Sequence, residues 1–200
     1  MKSAQFGHAN NPPGLVLILE AALFAADAHK TQLRKGAGRV PYINHPLEVA
    51  ATIVRGEPNA SAEIIAAALL HDTVEDTETT PEQLRALFGE KVCGIVLEVT
   101  EPPKDAFTWK ERKAHQLAHA PTLSREARLV KLGDIISNLR SLVRTTPKEW
   151  THEKQQGQFD RGKALVNCFR GASASLEAEF DAVFAMRPVS DLRIRTGDKQ

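Results

Sequence analysis

The chain has 200 residues, of which 42% are hydrophobic and 26% are charged, and its formal net charge at pH 7 is +1. This composition is typical of one globular domain with a full core, and the small net charge argues against a nucleic-acid coat or a polybasic membrane surface. No apolar run reaches about 18 residues, and the N-terminus lacks a signal-peptide pattern, so we expect no membrane association and a cytoplasmic location. The signature motifs of zinc ribbons, serine hydrolases, P-loop enzymes and dinucleotide-binding folds do not occur.

The first quarter of the chain predicts a leader, a helix and a basic loop. Residues 1–13, which end in Gly, Asn and Pro, are predicted to be a disordered leader. A helix is predicted from about 14 to 29, and the next begins at His45-Pro46 because proline suits a first helical turn. Between them, residues 30–42 carry basic side chains among glycines and a proline. This loop is either a solvated connector or a phosphate clamp.

The rest of the chain predicts further helices and no strand. Residues 62–71 are apolar nearly all round, as expected of a central buried helix, and Ser61 can cap it. The run Thr80-Pro81-Glu82-Gln83 predicts a capping box and a helix that stops near Gly89. Further helices are predicted over 90–100, 109–118, 124–139, 154–170 and 175–186. We therefore predict one all-α domain over 14–187, followed by a polar tail over 188–200.

The central apolar helix ends in a cluster of one imidazole and three carboxylates. On a helix, residues four apart are neighbours, so His71 lies near Glu75 and Asp72 near Asp76. Carboxylates grouped at the edge of a core are costly unless they are compensated. Either a cation lies among them, or the helix stops there and water reaches them.

Two more metal-ligand side chains, His45 and Asp134, occur on other predicted helices. With His71 and Asp72 they form a mixed nitrogen and oxygen set, which suits Mn²⁺, Fe²⁺ or Zn²⁺ better than Mg²⁺. The set contains no thiolate, which argues for open coordination positions that water and substrate can fill. An ion in such a site can lower the pKa of a bound water to about 7 and polarise a phosphoryl oxygen.

The chemistry of phosphate-ester hydrolysis assigns roles to the remaining polar residues. Glu75 and Asp76, one turn beyond His71 and Asp72, are placed to orient the water or to exchange its proton. A phosphate ester also needs its remaining charge neutralised. The basic candidates for this role are Arg34, Lys35 and Lys154.

Three blocks of the sequence, within a match that spans about 21–186, resemble a known family. The blocks are Pro41-Tyr42-Ile43-Asn44-His45-Pro46, the stretch 68–77 (ALLHDTVEDT) and the stretch 131–140 (KLGDIISNLR). Their pattern resembles the HD superfamily of metal-dependent phosphohydrolases. More narrowly, it is similar to the hydrolase domain of RelA/SpoT enzymes and to the stand-alone small alarmone hydrolases of the metazoan Mesh1 type.

The resemblance implies an all-α HD-domain helical bundle that holds one Mn²⁺ and removes pyrophosphate from the ribose 3′ position of guanosine tetraphosphate or pentaphosphate, or of adenosine counterparts. It carries metal ligation onto His45, His71, Asp72 and Asp134, and water activation onto Glu75 and Asp76. It carries substrate contacts onto Arg34, Lys35 and Asn138, and Lys154 stands where arginine is usual. The chain departs from the family pattern at Gly133, Ile135 and Ser137, and the change at Ser137 implies that an aromatic near the nucleotide is lost.

Two other functions stay open from the sequence. Another HD nucleotide phosphatase, for instance one that removes the 2′-phosphate of NADPH, fits the same metal residues. A domain that binds an alarmone without catalysis, as a sensor, is the second alternative, and the full water-activating set speaks against it. Exposed faces around Trp109 and Trp150 could also support a homodimer.

Overall fold

The computed structural model describes residues 12–34, 40–147 and 149–188 of the chain, and these form a bundle of α-helices. The helices are α1 (Pro13–Ala28), α2 (Asn44–Gly56), α3 (Ala62–Leu70), α4 (Thr73–Asp76), α5 (Pro81–Val99), α6 (Trp109–His119), α7 (Arg125–Arg144), α8 (His152–Cys168) and α9 (Ala174–Ala185). Within the described ranges, the β pairing is limited to one isolated bridge between Leu33 and Pro41. The prediction of an all-α fold is confirmed. The predicted leader and tail lie almost entirely outside the described residues, so the proposed domain boundaries stay a prediction.

Local capping explains why several helices begin where the sequence predicts. The Thr80 side chain accepts a hydrogen bond from the backbone N–H of Gln83, and the Gln83 side chain accepts one from the backbone N–H of Thr80. Ser124 caps α7 in a similar way, by accepting from the N–H of Ala127. These bonds satisfy helix N–H groups that have no partner within the helix. Ser61 differs from the prediction: it occupies the N-cap position of α3, but its side chain makes no capping bond.

The core is organised around α3, where every residue from Ile64 to Leu70 is buried. Small side chains, Ala66, Ala67 and Ala68 among them, let neighbouring helices approach closely, and α1, α2, α5 and α7 all pack against α3. A short helix that is apolar all round is stable only when such partners cover it. The last residues of α3 therefore carry the site that follows them into the centre of the bundle.

Glycines mark two places where the backbone bends or where helices touch. Gly89 adopts φ 85° and ψ 169° and kinks α5, so the two helices predicted on either side of it form one bent element. Gly56 ends α2 against Leu176 of α9, where an added Cβ would lie 2.3 Å from the Leu176 Cδ2 atom. Positive φ favours glycine because it has no Cβ, and close helix contacts favour it for the same reason.

The order of the helices determines where the polar residues meet. The first turn of α2, the turn between α3 and α4, and the middle of α7 meet on one side of the bundle, because α2 and α7 both pack on α3. The loop over 101–108 and the start of α6 border the same side. None of the described helices is long and apolar enough to cross a membrane.

Candidate metal centre and pocket

The four predicted metal ligands converge from three parts of the fold. His45 lies in the first turn of α2, and Asp134 lies in the middle of α7. His71 and Asp72 follow α3 directly and keep helix-like dihedral angles, although the regular helix ends at Leu70. The structure therefore combines the two alternatives for this cluster: the helix stops, and the ligand side chains still point at one another.

The distances between the ligand atoms fit one divalent ion. Asp72 Oδ2 lies 3.1 Å from His71 Nε2 and 3.6 Å from His45 Nε2. Asp134 Oδ1 lies 3.2 Å from His45 Nε2 and 3.9 Å from His71 Nε2. Ligand atoms about 2.1 Å from a metal are about 3.0 Å apart at a right angle and about 3.4 Å apart at the tetrahedral angle. Ligand atoms of His45, His71 and Asp134 all lie within 4.8 Å of one another, and Asp72 joins them through its contacts with the two imidazoles.

The hydrogen bonds of His71 leave one nitrogen ready to bind a cation. His71 Nδ1 lies 2.8 Å from the carbonyl oxygen of Ala68, and a carbonyl only accepts, so this nitrogen donates. The other nitrogen, Nε2, is buried and has no hydrogen-bond partner among the described residues. A buried nitrogen lone pair without a partner is costly, and a bound cation would satisfy it. The residues present therefore fit a metal ion.

The electrostatics of the cluster also favour a cation. Burial alone would lower the pKa of His71, but the negative charges of Asp72 and Asp134 raise this pKa to about 9. Burial would raise the pKa of Asp134, but Lys131 and His45 hold it below its usual range. In the absence of a metal, the proton on His71 compensates the two carboxylates. A divalent ion would replace this proton.

Glu75 and Asp76 lie on α4, next to the metal ligands and beside several basic side chains. Burial, followed by the charges of Glu101 and Asp72, raises the pKa of Glu75 above its usual value. Lys104, on the 101–108 loop, forms an ion pair with Asp76 and lies 3.6 Å from Glu75 Oε1. A carboxylate with a raised pKa close to a metal-ligand set is typical of a general base.

A pocket of about 630 Å³ opens over the metal ligands, and its walls are strongly charged. Among the described residues, eleven acidic and basic side chains line it. The acidic residues are Asp72, Glu75, Asp76, Glu101 and Asp134, and the basic residues are Arg34, Lys104, Arg112, Lys113, Lys131 and Arg161. A pocket that holds both clustered carboxylates and several cations can take a metal ion and a phosphorylated ligand together.

Most of these cations already have carboxylate partners. Arg112 and Lys113 pair with Glu101, Lys104 pairs with Asp76, and Lys131 lies 3.5 Å from Asp134 Oδ2. Arg34 and Arg161 differ, since neither has a carboxylate within ion-pair distance among the residues described here. The guanidinium of Arg34 instead donates to Asn138 Oδ1, 3.3 Å from both of its terminal nitrogens. Arg34 and Arg161 are thus the pocket cations with charge left for a ligand.

The predicted substrate-binding residues fall into three groups. Arg34 and Asn138 line the pocket together, and Asn138 also donates to Asp134 Oδ1. Lys35 lies outside the described residues. Lys154 is not among the described pocket-lining residues, and its ammonium group lies 4.5 Å from the ring centre of Trp150, which does line the pocket.

Three side chains have surroundings that the sequence did not indicate. The family motif suggested that Ser137 replaces an aromatic near the nucleotide. In the structure, Ser137 does not line the pocket, and its hydroxyl is buried against His45 and Glu48. Trp109 and Trp150, considered as faces for a homodimer, both line the pocket, and the Arg161 guanidinium lies 4.9 Å from the Trp109 ring centre.

Tyr42 belongs to the site, although no role was predicted for it. Its hydroxyl donates to Asp72 Oδ2 at 2.5 Å, and its ring packs between His29 and His45. Burial, with the charge of Asp72, raises the pKa of Tyr42, so the hydroxyl keeps its proton. The sequence feature that could have pointed to Tyr42 is its position three residues before His45, since one helical turn brings such residues to the same face. Tyr42 therefore orients the carboxylate of a candidate ligand.

Comparison with known proteins gives a consistent result. The family model for the HD domain matches residues 21–159. The chain is 46% identical to guanosine-3′,5′-bis(diphosphate) 3′-pyrophosphohydrolase MESH1 of Xenopus tropicalis over 171 residues, which cover 84% of this chain and 93% of the relative. It is 40% identical to the human protein of the same name, with 85% and 94% coverage. A solved structure described as a metazoan ortholog of SpoT that hydrolyses ppGpp superposes with a TM-score of 0.82 and 37% identity, covering 90% of this chain and 98% of that chain.

Proposed function

Because the chain belongs to the HD-domain family, as its sequence motifs predicted, we propose that it is a Mn²⁺-dependent 3′-pyrophosphohydrolase of guanosine or adenosine alarmones. The single observation that carries the proposal is the convergence of His45, His71, Asp72 and Asp134 beside Glu75 and Asp76. Relatives at 40–46% identity that are named for this reaction support the choice of substrate. The cytoplasmic location and the homodimer stay predictions.

The four candidate ligands suit Mn²⁺ by their chemistry. Two imidazole nitrogens and two carboxylate oxygens form a mixed set that first-row divalent ions accept, whereas Mg²⁺ prefers oxygen. When bound, such an ion polarises a phosphoryl oxygen and makes water a better nucleophile at neutral pH. The proton on His71, which the neighbouring carboxylates favour, has to leave when an ion binds.

Glu75 is the residue we assign to proton transfer. Its raised pKa brings it closer to neutral pH, where a general base is most effective. In the reaction, the water oxygen bonds to the phosphorus attached to the ribose 3′-oxygen, and the bond between this phosphorus and the 3′-oxygen breaks. Glu75 accepts the water proton and then returns it, directly or through water, to the departing 3′-oxygen. Asp76 lies one residue further and helps to orient the water.

Arg34 and Arg161 are the side chains we assign to the phosphates of the substrate. Both line the pocket and neither is neutralised by a carboxylate among the described residues. A guanidinium can donate two parallel hydrogen bonds to a phosphate, so charge and geometry both favour the contact. Asn138, which bonds to both Arg34 and Asp134, is the residue that we assign to the nucleoside.

The test is product analysis with purified protein and Mn²⁺, against guanosine tetraphosphate, its adenosine counterpart and NADPH, with chelator controls. We expect pyrophosphate release from an alarmone and loss of turnover with chelator. Phosphate release from NADPH alone would instead identify a 2′-phosphatase, and tight alarmone binding without product would identify a sensor. Either result would overturn the proposal.

Variants separate metal binding from water activation. Asp72→Ala and Asp134→Ala should abolish both Mn²⁺ binding and turnover, whereas Glu75→Ala should keep Mn²⁺ binding and lose turnover. Glu57→Ala is the matched control, because Glu57 pairs with Arg125 at the other end of α2, about 18 Å from His45 at 1.5 Å per residue. If Glu75→Ala also lost the metal, the role assigned to Glu75 would be wrong.

A further inference from the structure

Ser137 lies in α7 between Asp134 and Asn138, and it is completely buried. Its hydroxyl oxygen lies 3.1 Å from Nδ1 of His45 and 3.1 Å from Oε2 of Glu48. It therefore connects a candidate metal ligand to a carboxylate one helical turn further along α2. Neither Ser137 nor Glu48 lines the pocket, so neither contacts a substrate there.

The direction of the two hydrogen bonds follows from counting protons. An ionised carboxylate only accepts, and Glu48 Oε1 forms an ion pair with the Arg144 guanidinium at 3.3 Å. Ser137 has one hydroxyl proton, and it donates this proton to Glu48. The serine oxygen must then accept from His45, so the proton of the His45 ring lies on Nδ1. The other nitrogen, Nε2, then carries the lone pair that a metal ion bound beside Asp72 and Asp134 would accept.

We propose that Ser137 and Glu48 are positioning residues that fix the tautomer and the orientation of the His45 ring for metal binding, an inference that rests on the metal site of the proposed function. Outer partners of this kind hold metal-binding histidines in many sites and strengthen the ligand. The hydrogen bonds from Glu48 through Ser137 to His45 join α2 to α7. The His45 ring therefore cannot turn without breaking its hydrogen bond to Ser137.

The two histidines of the site are fixed in different ways, which makes the proposal testable. The Nδ1 atom of His71 donates to the backbone carbonyl of Ala68, a partner that no side-chain substitution removes. His45 depends on the side chains of Ser137 and Glu48. Substitution of these two residues should therefore release His45 and leave His71 in place.

The experiment compares Ser137→Ala and Glu48→Ala with the wild-type protein. After the metal is stripped, Mn²⁺ is titrated calorimetrically, and the histidine tautomers of the metal-free protein are read from long-range ¹H–¹⁵N correlation spectra. We expect Mn²⁺ affinity to fall about 10- to 100-fold in both variants. We also expect the His45 signals to move from the Nδ1–H tautomer toward a mixture with Nε2–H, while the His71 signals stay unchanged.

Glu48→Ala is the safer variant, because the Glu48 side chain is 27% exposed whereas Ser137 lies in the core. Glu57→Ala removes a comparable ion-paired carboxylate from the same helix and should change neither readout. Circular dichroism checks that each variant is folded. A purely structural role would lower the melting temperature without moving the tautomer.

The outcomes distinguish this inference from the proposed function. If wild-type and variant proteins bind Mn²⁺ equally well, or if the His45 tautomer does not change, the inference is wrong and the proposed function stands. If the wild-type protein binds no Mn²⁺, the proposed function fails, and the role assigned to Ser137 and Glu48 fails with it.

Discussion

Removal of Lys104 should move the acid limb of the pH–rate profile to higher pH. Lys104 pairs with Asp76 and lies 3.6 Å from Glu75 Oε1, so its positive charge stabilises the ionised form of Glu75. Burial, with the charges of Glu101 and Asp72, acts in the opposite direction and raises the pKa of Glu75. In Lys104→Ala this pKa should rise further. Because the proposed base is active when ionised, a higher pH is then needed to reach the same rate.

The size of the shift follows from the exposure of the pair. At 3.6 Å, Coulomb's law with an effective dielectric constant of about 20 gives about 4.6 kcal/mol. The Lys104 side chain is 51% exposed, however, and solvent screens most of this energy. Measured values for exposed pairs are about 0.2–1 kcal/mol. At about 1.36 kcal/mol per pH unit, the upper half of this range corresponds to a shift of about 0.4–0.7 pH units.

The assay is the pH dependence of kcat/KM, which reports groups of the free enzyme. Titration of the substrate phosphates and loss of the metal at low pH affect every variant equally, so the informative quantity is the difference from wild type. Lys104→Arg should keep the wild-type midpoint of the acid limb of kcat/KM. Lys110→Ala, which removes an exposed charge from α6, should also leave this midpoint unchanged. A midpoint that stays in place or moves to lower pH in Lys104→Ala would refute this account of Glu75.

Three further predictions concern the metal, the packing and the orientation of a ligand. Mn²⁺ at about 100 times its Kd should stabilise the protein by about 2.7 kcal/mol and raise Tm by about 5–10 °C in a thermal melt. A chelator should reverse this shift, and an unchanged Tm would contradict the prediction. Gly56→Ala should destabilise the fold by about 1–3 kcal/mol in urea denaturation, because the new Cβ overlaps buried Leu176, whereas Gly94→Ala, with open space around it, should be neutral or stabilising. Tyr42→Phe removes the hydrogen bond to Asp72, so Mn²⁺ affinity should fall about 10- to 100-fold in a titration, and equal affinity would count against that role.

The helices and the cluster of candidate ligands that follows α3 were predictable because their signals are local. The capping box at Thr80, the proline after His45 and the apolar run of α3 each determine structure within a turn or two. His71 and Asp72 are adjacent, and their cluster with Glu75 and Asp76 follows from helical spacing. Carboxylates at the end of an apolar helix then indicated that other ligands should be sought elsewhere in the chain.

The surroundings of the pocket were less predictable because they depend on contacts between distant segments. The sequence does not indicate that the 101–108 loop brings Lys104 to Asp76, or that α6 and α8 bring Trp109 beneath Arg161. The sequence shows that Lys154 is positively charged, but it does not show that its ammonium group packs on the Trp150 ring. The motif identified Ser137 only as the replacement of an aromatic residue. A motif does not show which way a side chain points, so the contact of Ser137 with His45 was missed.

The turn that follows α3 imposes a constraint on chain length. The Ala68 carbonyl is satisfied by the His71 ring, and the Leu70 carbonyl accepts from the Thr73 hydroxyl, so the residues that end the helix also orient the ligand. One inserted or deleted residue here would rotate α4 by about 100° relative to α3 and turn Glu75 away from the ligands. The 101–108 loop joins its helices without such a register. Length changes in that loop should be tolerated where they keep Lys104 beside Asp76 and Glu75, whereas insertions and deletions between Leu70 and Glu75 should be eliminated.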